Sequence, residues 1–415
     1  MKSLRSSREV ETVSPIEAER IIEALRYGIP ARGRVREFTV GRETQIRGLT
    51  RALEDNTDAS SSTGKALLVR ANWGAGKTHL LEVIREVALE RGYATTLVVA
   101  NAQGGVRFNR METVLGEVCR QIEVPATERK GVGALFSAYA AVKESRLPRA
   151  LRDLRSDISA AGTWTASDKL RSQAIYVALR AWVTCGDSNR QSVEARVEDW
   201  LHNPVPYRAQ RQLLYSDLVG KLRDKFRDPR PDWRFYSDGV FVFNTMGHRQ
   251  SWDALADLDL IARLSGLRGL VLLIDEFEDV IQNLERRDYK QAAFLNLFKF
   301  FRGDVLGRSY FAVTPEFAFK CKQELLSRGV FDYDFSQFDQ LPAFEMAPID
   351  TAMIVQLAQK IRQVHGIAYD WDPCTVVSDT ELLTTCRTLG ASPLPDRVRR
   401  AITGIVKLLD DHCQT

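Results

Sequence analysis

The residues of this chain best suited to chemistry lie at positions 71–78, in the run Ala-Asn-Trp-Gly-Ala-Gly-Lys-Thr. Gly74 and Gly76 allow the backbone to wrap closely around an anion, so that N–H groups at a helix N-terminus point toward it. Lys77 carries an ammonium group that can reach the β- and γ-phosphates of a nucleotide, and the Thr78 hydroxyl can bind Mg²⁺. The alternative interpretation is a glycine-rich turn followed by a chance Lys-Thr pair.

The segments on either side of this loop supply the elements that a phosphate-binding loop needs. The apolar run 66–69 predicts a short strand, and residues 77–91 carry apolar side chains at helical spacing. Strand, loop and helix therefore follow in the order of a P-loop, to which we also assign Ala75 and His79. One position departs from the motif, because Ala71 replaces its first glycine. Ala71 ends the strand, and the two later glycines still allow close approach.

A second set of candidate residues follows the apolar run 270–274, where Asp275 and Glu276 stand side by side. The run predicts a fully buried strand of a parallel sheet. Asp275 at its end is expected to bind Mg²⁺, and Glu276 to orient and polarise an attacking water molecule. An acidic strand end without catalytic function is the alternative. Together with a P-loop upstream in the same chain, the pair predicts the second half of a nucleotide site.

A third strand is predicted at residues 309–314 and ends in Thr314, next in chain order after the acidic pair. A small polar residue at this position is typical of a sensor 1 that hydrogen-bonds the γ-phosphate or the attacking water. A cap for the helix that starts at Pro315 is the alternative interpretation of Thr314.

Arginines that act on the γ-phosphate are harder to assign. Arg328 follows the Thr314 strand by one helix, where an arginine finger could be offered to a neighbouring subunit of an ATP-dependent homo-oligomer. The alternative is a cation that complements a helix C-terminus. Arg397 lies in the first turn of the last predicted helix and is the best sensor 2 candidate, with Arg399 and Arg400 as rivals.

The composition fits a globular protein with two or three domains. The chain has 415 residues, of which 44% are hydrophobic and 27% charged. It has no apolar run long enough for a transmembrane helix, and its polar N-terminus lacks the apolar region of a secretory signal, so we expect a cytoplasmic location. The six cysteines are scattered, which argues against a zinc site and a disulfide framework.

Four regions are predicted along the chain. N-terminal helices and the first half of the α/β core occupy residues 1–128, and a mainly helical insertion occupies 129–250. The second half of the core follows at 251–343, and residues 344–415 form a helical lid. No segment after the lid is expected to hold a further DNA-binding domain.

The helical insertion is basic. From Arg129 to Arg234 there are 20 Lys and Arg residues against 12 Asp and Glu, although the whole chain has a net charge of only +4. Such an excess predicts contact with DNA. A solvated, arginine-rich helical surface is the alternative interpretation. Four tryptophans are interpreted as core anchors rather than base-stacking platforms: Trp164, Trp182, Trp200 and Trp233.

Taken together, these motifs resemble the AAA+ ATPases of the initiator-like group, which share a Val-Gly-Arg-Glu segment, both nucleotide motifs and a small helical lid. A closer resemblance is to the P-loop ATP-binding proteins of bacterial BREX-type phage-defence systems. It spans nearly the full chain apart from much of 128–235. The segments that carry it are 18–25, 28–33, 38–43, 73–78, 269–276, 312–317 and 357–362, with His365, Ala368, Tyr369 and 371–373.

The resemblance implies an AAA+ P-loop NTPase core with a parallel sheet, in which Gly41 and Arg42 line the adenine pocket. It also implies ATP and Mg²⁺ as ligands, other defence-system proteins as partners, and a hydrolase that drives or switches an anti-phage complex. Two alternatives stay open. One is a nucleotide-gated scaffold with little hydrolysis, and the other is a DNA-loading initiator or transposition-type ATPase that contacts DNA through residues 129–234.

Overall fold

The structure is a computed structural model of the 415-residue chain. It describes residues 13–31, 33–54, 65–100, 105–160, 162, 169–226, 233–244, 248–278, 284–303, 307–327, 329, 334, 336–391 and 397–413.

A parallel five-stranded sheet, in the order β2-β3-β4-β1-β5, carries the nucleotide motifs. β3 pairs in parallel with β2 on one side and with β4 on the other. Every residue of β3 and β4 is buried, as expected for continuous apolar strands covered on both faces. The strands are Lys65–Arg70 (β1), Ala94–Val99 (β2), Leu270–Asp275 (β3), Arg308–Val313 (β4) and Ala343–Glu345 (β5).

Helices make up most of the remaining described residues. No described helix is both long and apolar enough to cross a membrane. A π-helical turn, Tyr215–Val219, directly follows α9. The helices of seven or more residues are Pro15–Arg26 (α1), Glu43–Glu54 (α2), Lys77–Glu90 (α3), Met111–Gln121 (α4), Val132–Ala141 (α5), Arg149–Ala160 (α6), Gln173–Thr184 (α7), Arg190–His202 (α8), Arg208–Leu214 (α9), Arg249–Leu264 (α10), Arg287–Arg302 (α11), Phe317–Ser327 (α12), Thr351–Tyr369 (α13), Asp379–Gly390 (α14) and Arg397–Cys413 (α15).

The predicted strands β1, β3 and β4 and the predicted helix α3 agree with the structure to within a few residues. Helix α1 begins after Ser14, whose side chain accepts a hydrogen bond from the Glu17 N–H. Strand β5 was not predicted. It has only three residues and no buried face, so no apolar pattern marks it in the sequence. Instead, β5 lies beside β1, which is distant in sequence. At the start of this pairing the Leu68 N–H of β1 donates to the Pro342 carbonyl at 2.8 Å.

The chain divides into two compact units. The sheet unit comprises Asn56–Val69 and Val87–Phe344, and the P-loop unit comprises Met1–Asp55, Arg70–Glu86 and Glu345–Thr415. The second of these is assembled from three segments that are distant in sequence.

The core of the sheet unit is rich in aromatic side chains. Phe108, Phe277 and Phe311 pack edge to face, with ring centroids 4.7–6.0 Å apart. In the helical region 129–250, Trp182 and Trp200 are buried, which confirms their assignment as core anchors. Trp233 is half-buried against Tyr215, and Trp164 lies outside the described residues.

The core of the P-loop unit is formed by α1, α13, α14 and α15. Phe38 and Val40 pack into it from the segment before α2. A polar network crosses this core. The buried His365 hydrogen-bonds Asp410 through Nε2 at 3.0 Å and accepts the Trp371 Nε1–H at 2.9 Å through Nδ1. Arg26 pairs with the same Asp410 carboxylate at 2.8 and 2.9 Å.

In the neutral tautomer of His365, the protonated Nε2 donates to Asp410 and the unprotonated Nδ1 accepts from Trp371, so both ring nitrogens are hydrogen-bonded. Burial lowers the pKa of His365 in spite of the opposing effect of Asp410. Below about pH 6.5 the unfolded chain takes up a proton at this position that the folded chain excludes, so stability falls as the pH falls. We expect the stability advantage of the wild type over His365→Phe in urea unfolding to shrink between pH 7.5 and pH 5.5. An advantage that is constant across this range would contradict the assignment.

Candidate nucleotide-binding site

The loop between β1 and α3 has the backbone conformation that phosphate binding requires. Gly74 and Gly76 have φ of +70° and +88°, a region that other residues rarely adopt. A side-chain carbon at Gly76 would have the His79 Cβ 3.8 Å away, so the loop is open at that point. Ala71, the departure from the motif, is buried at the end of β1 and needs no such freedom.

The Lys77 side chain lies along this loop. It is only 9% exposed, its Nζ donates to the Ala71 carbonyl at 3.1 Å, and it lies 5.0 Å from the centre of the Trp73 ring. Its ammonium group is therefore held at the loop by a carbonyl and an aromatic face. The neighbouring Thr78 is exposed.

Gly41 and Arg42 lie beside the P-loop. Gly41 has φ of +65°, and a side-chain carbon there would lie 2.5 Å from the Met353 Cε, so this position needs glycine. The buried Arg42 guanidinium donates from Nη2 to the Ala75 carbonyl at 3.0 Å and to the Ala347 carbonyl at 2.9 Å. The structure thus brings Gly41, Arg42 and Ala75 together within the P-loop unit.

His79, at the start of α3, faces away from the loop toward Thr39. Its Nε2 lies 2.8 Å from the Thr39 Oγ1, and that hydroxyl donates its proton to the Val35 carbonyl at 3.0 Å. His79 is therefore the donor in this contact and is protonated on Nε2. Burial, with a smaller effect from the charge of Arg42, lowers its pKa to about 4, so His79 is neutral at physiological pH.

The acidic pair lies at the end of β3 in the sheet unit. Asp275 is buried, and its Oδ1 accepts the Glu276 N–H at 2.9 Å. Glu276 is exposed and has φ of +54°, a left-handed conformation that is uncommon for a residue other than glycine. Such strained backbone is concentrated at functional sites. The turn at Glu276 exposes one carboxylate directly after a buried one.

Thr314 follows β4 in the same unit and is 1% exposed. Its backbone N–H donates to the Glu278 Oε2 at 3.0 Å, whereas its Oγ1 has no hydrogen-bond partner among the described residues. A buried hydroxyl without a partner destabilises the fold, so it marks a candidate ligand contact. Glu278 was missed in the sequence analysis. It is buried two residues after Glu276, and a second acid that close to a strand end was the available signal.

The candidate arginines are only partly described. Arg328 lies outside the described residues. Arg397 is half-buried at the first position of α15. Its rival Arg399 packs against the turn at Gly28, where a side-chain carbon would lie 2.7 Å from the Arg399 Cγ.

Comparison with known families agrees with these motifs. The family model described as BREX system ATP-binding protein BrxC/D matches residues 13–141 and 240–411, well over half of the chain. The chain belongs to this family. Membership supports an ATP-binding role in phage defence, with other BREX components as partners. No curated protein and no solved structure matches the chain.

The matched residues include the P-loop, the acidic pair, Thr314 and Arg397. The unmatched stretch, 142–239, falls within the basic helical region predicted at 129–250. The family match therefore covers the nucleotide motifs and leaves out most of the basic helical region.

Proposed function

We propose that this BREX ATP-binding protein is an ATPase of the AAA+ class that uses Mg²⁺ and drives or switches a defence complex in the bacterial cytoplasm. The observation that carries the proposal is the acidic pair after β3, in which the exposed Glu276 directly follows the buried Asp275. A carboxylate that directly follows the proposed Mg²⁺ ligand is suited to orient an attacking water molecule, which favours hydrolysis over binding alone.

The P-loop residues supply the binding half of the proposed reaction. Successive N–H groups of residues 74–78 bind phosphate oxygens, and the Lys77 ammonium neutralises the charge of the β- and γ-phosphates. The Thr78 hydroxyl and the Asp275 carboxylate are oxygen ligands of the kind that Mg²⁺ prefers. When bound, Mg²⁺ would offset the negative charge that develops on the phosphate oxygens.

Glu276 is assigned to the chemical step. Its carboxylate accepts a hydrogen bond from a water molecule and orients the water oxygen toward the γ-phosphorus. A bond forms between that oxygen and phosphorus while the bond from phosphorus to the β–γ bridging oxygen breaks. ADP and inorganic phosphate leave, and the proton lost by the water is taken up by Glu276 or by phosphate.

Thr314 is assigned as the residue that senses the γ-phosphate or the attacking water through its buried hydroxyl. Thr314→Val removes the hydroxyl but keeps the shape of the side chain. Because the hydroxyl has no partner among the described residues, we expect a change in the free energy of unfolding of less than about 1 kcal/mol. ATP turnover should fall at least about 10-fold. Turnover equal to that of the wild type would contradict this role; a plain helix cap does not fit, since the hydroxyl accepts no N–H from the described residues at the start of α12.

We also propose that two arginines, Arg397 and Arg328, act on the γ-phosphate. Arg397 is proposed as sensor 2, since it begins a helix of the P-loop unit. Arg328 is proposed as a finger toward a neighbouring subunit of an ATP-dependent homo-oligomer. Sedimentation with and without an ATP analogue tests the oligomer, and Arg328→Ala should reduce turnover only under conditions in which the assembly forms.

DNA contact through residues 129–234 is also proposed, and the structure narrows where to test it. Arg129 and Arg196 already pair with acidic side chains of the same unit. Lys143, Arg146 and Arg152, in contrast, are exposed and have no ion-pair partner among the described residues.

Replacing Lys143, Arg146 and Arg152 by Gln should weaken binding to a DNA duplex. The slope of log affinity against log salt should become shallower by about 2 to 3, because each phosphate contact contributes about 0.9. Replacing the paired Arg129 and Arg196 is the control and should have little effect. Absence of DNA binding by the wild type at low salt, or an affinity insensitive to the three changes, would contradict this proposal.

A further inference from the structure

Residues 33–42, here called the strap, run between the P-loop side and the C-terminal helices of the P-loop unit. On the P-loop side the strap is fixed to α3, the helix that the P-loop starts. The buried Glu86 carboxylate accepts the Val35 N–H at 3.0 Å, and the His79 Nε2–H donates to the Thr39 hydroxyl.

The strap is also fixed to α13. The Lys360 ammonium donates to the Glu37 carbonyl at 2.5 Å, and Gly41 lies so close to Met353 that no side chain fits between them. The segment that leads into α13 is itself joined to the end of β1, since the Met346 N–H donates to the Arg70 carbonyl at 2.9 Å.

Arg42 is the residue of the strap that joins the P-loop itself to the segment before α13. Its Nη2 carries two hydrogens, and its two acceptors are the carbonyl of Ala75 in the P-loop and the carbonyl of Ala347 before α13. Its Nη1 donates to the Gln45 side chain at 3.1 Å. Burial of the Arg42 charge costs free energy, and neutral carbonyls offset that cost less than a carboxylate would. A role in fold stability alone therefore does not account for this residue.

The Ala75 carbonyl belongs to the peptide at the centre of the loop. When phosphate binds, the N–H groups of this loop must point inward, so the carbonyls of the same peptides point outward. Arg42 holds the Ala75 carbonyl in that outward direction and with the same nitrogen holds Ala347. Any shift of the loop on phosphate binding therefore acts on the segment that enters α13.

We propose that Arg42 is a positioning residue that couples phosphate binding at the P-loop to the C-terminal helices. In this role it acts through the main-chain carbonyls of Ala75 and Ala347. The inference rests on the proposed function for its ligand, ATP, and adds a regulatory path within the same unit. Coupling of this kind is reciprocal, so the state of α13 must also change the affinity for ATP.

Hydrogen exchange of the full-length protein, with and without Mg²⁺ and the non-hydrolysable analogue AMP-PNP, tests the coupling. In the wild type, AMP-PNP should slow amide exchange in α13. Arg42→Ala should weaken AMP-PNP binding about 10-fold, because binding no longer gains the free energy of coupling to α13, and should abolish the slowing in α13 even at saturation. Arg42→Lys should restore part of both effects, because one ammonium cannot reproduce the planar fork of the guanidinium.

Two further variants separate coupling from folding. Arg47→Ala removes an exposed arginine of α2 whose hydrogen bonds, among the described residues, go to Glu43 and Thr44 of the same helix, and it should behave as the wild type. Lys360→Met breaks the contact of α13 with the strap without touching the P-loop. Because the coupling is reciprocal, it should reduce both the slowing in α13 and the AMP-PNP affinity, each by less than Arg42→Ala does, since the contacts of Arg42 remain. If Arg42→Ala does not fold, the partial losses in Arg42→Lys and Lys360→Met test the coupling in its place.

Slowing of α13 that equals the wild type in both Arg42→Ala and Lys360→Met would overturn the coupling. The proposed function would survive that result as long as Lys77→Ala abolishes AMP-PNP binding. A wild type that binds no AMP-PNP would instead overturn the proposed function.

Discussion

Lys77→Ala should reduce the affinity for ATP by at least about 100-fold, because it removes the ammonium group that the P-loop itself supplies to the phosphates. The Lys77 side chain is 9% exposed, and its ammonium lies between the Ala71 carbonyl and the Trp73 ring. A phosphate group that enters the loop would gain a charge-assisted hydrogen bond from this ammonium. In the variant, the phosphates would be left with main-chain N–H groups alone.

Thermal unfolding measures this effect directly. ATP stabilises only the folded chain, so a concentration of 100 times Kd should raise the stability of the wild type by about 2.7 kcal/mol and its Tm accordingly. Lys77→Ala should lose this rise. Lys407→Ala, which removes an exposed lysine of α15, should keep it. An equal rise in wild type and Lys77→Ala would place ATP at some other site.

Glu276→Gln should bind ATP as the wild type does but turn it over about 100-fold to 1,000-fold more slowly, the usual loss when a positioned general base is removed. Glutamine has the same shape, and its backbone N–H can still donate to Asp275. The exposed side chain contributes little to packing. The change therefore falls on the water molecule and not on the fold or the phosphate contacts.

The nucleotide that stays bound to the protein after incubation with Mg²⁺ and ATP provides the measurement. ADP should be recovered from the wild type and unreacted ATP from Glu276→Gln. Glu285→Gln, an exposed acid further along the same connection, is the matched control and should give ADP. Recovery of ADP from Glu276→Gln would remove this residue from the chemical step.

The nucleotide motifs could be predicted because their chemistry is local. The P-loop conformation depends on Gly74 and Gly76, whose positive φ follows from the lack of a side chain. Likewise, the apolar run of β3 places Asp275 at a strand end without knowledge of any other segment. Strands β1, β3 and β4 and helix α3 followed from apolar patterns in the same way.

Structural features that depend on contacts between segments distant in sequence could not be predicted. The sequence placed Arg42 near the adenine, and that expectation stays a prediction. No sequence pattern indicates that its guanidinium also donates to the carbonyls of Ala75 and Ala347, which lie 33 and 305 residues away in the chain. The role of Glu278 is visible only when its contact with the Thr314 N–H is known. The P-loop unit, built from three separate segments, also has no contiguous signature. The strained backbone of Glu276 is a tertiary feature as well, since nothing in Asp-Glu-Phe-Glu requires a left-handed residue.

The rate of phosphate release from Mg²⁺ and ATP, measured for the wild type beside Glu276→Gln, tests the central claim most directly. If the protein is an ATPase, the wild-type rate should exceed that of the variant by at least about 100-fold. Equal, near-zero rates for the two proteins, with ATP bound by both, would contradict it and leave a nucleotide-gated scaffold.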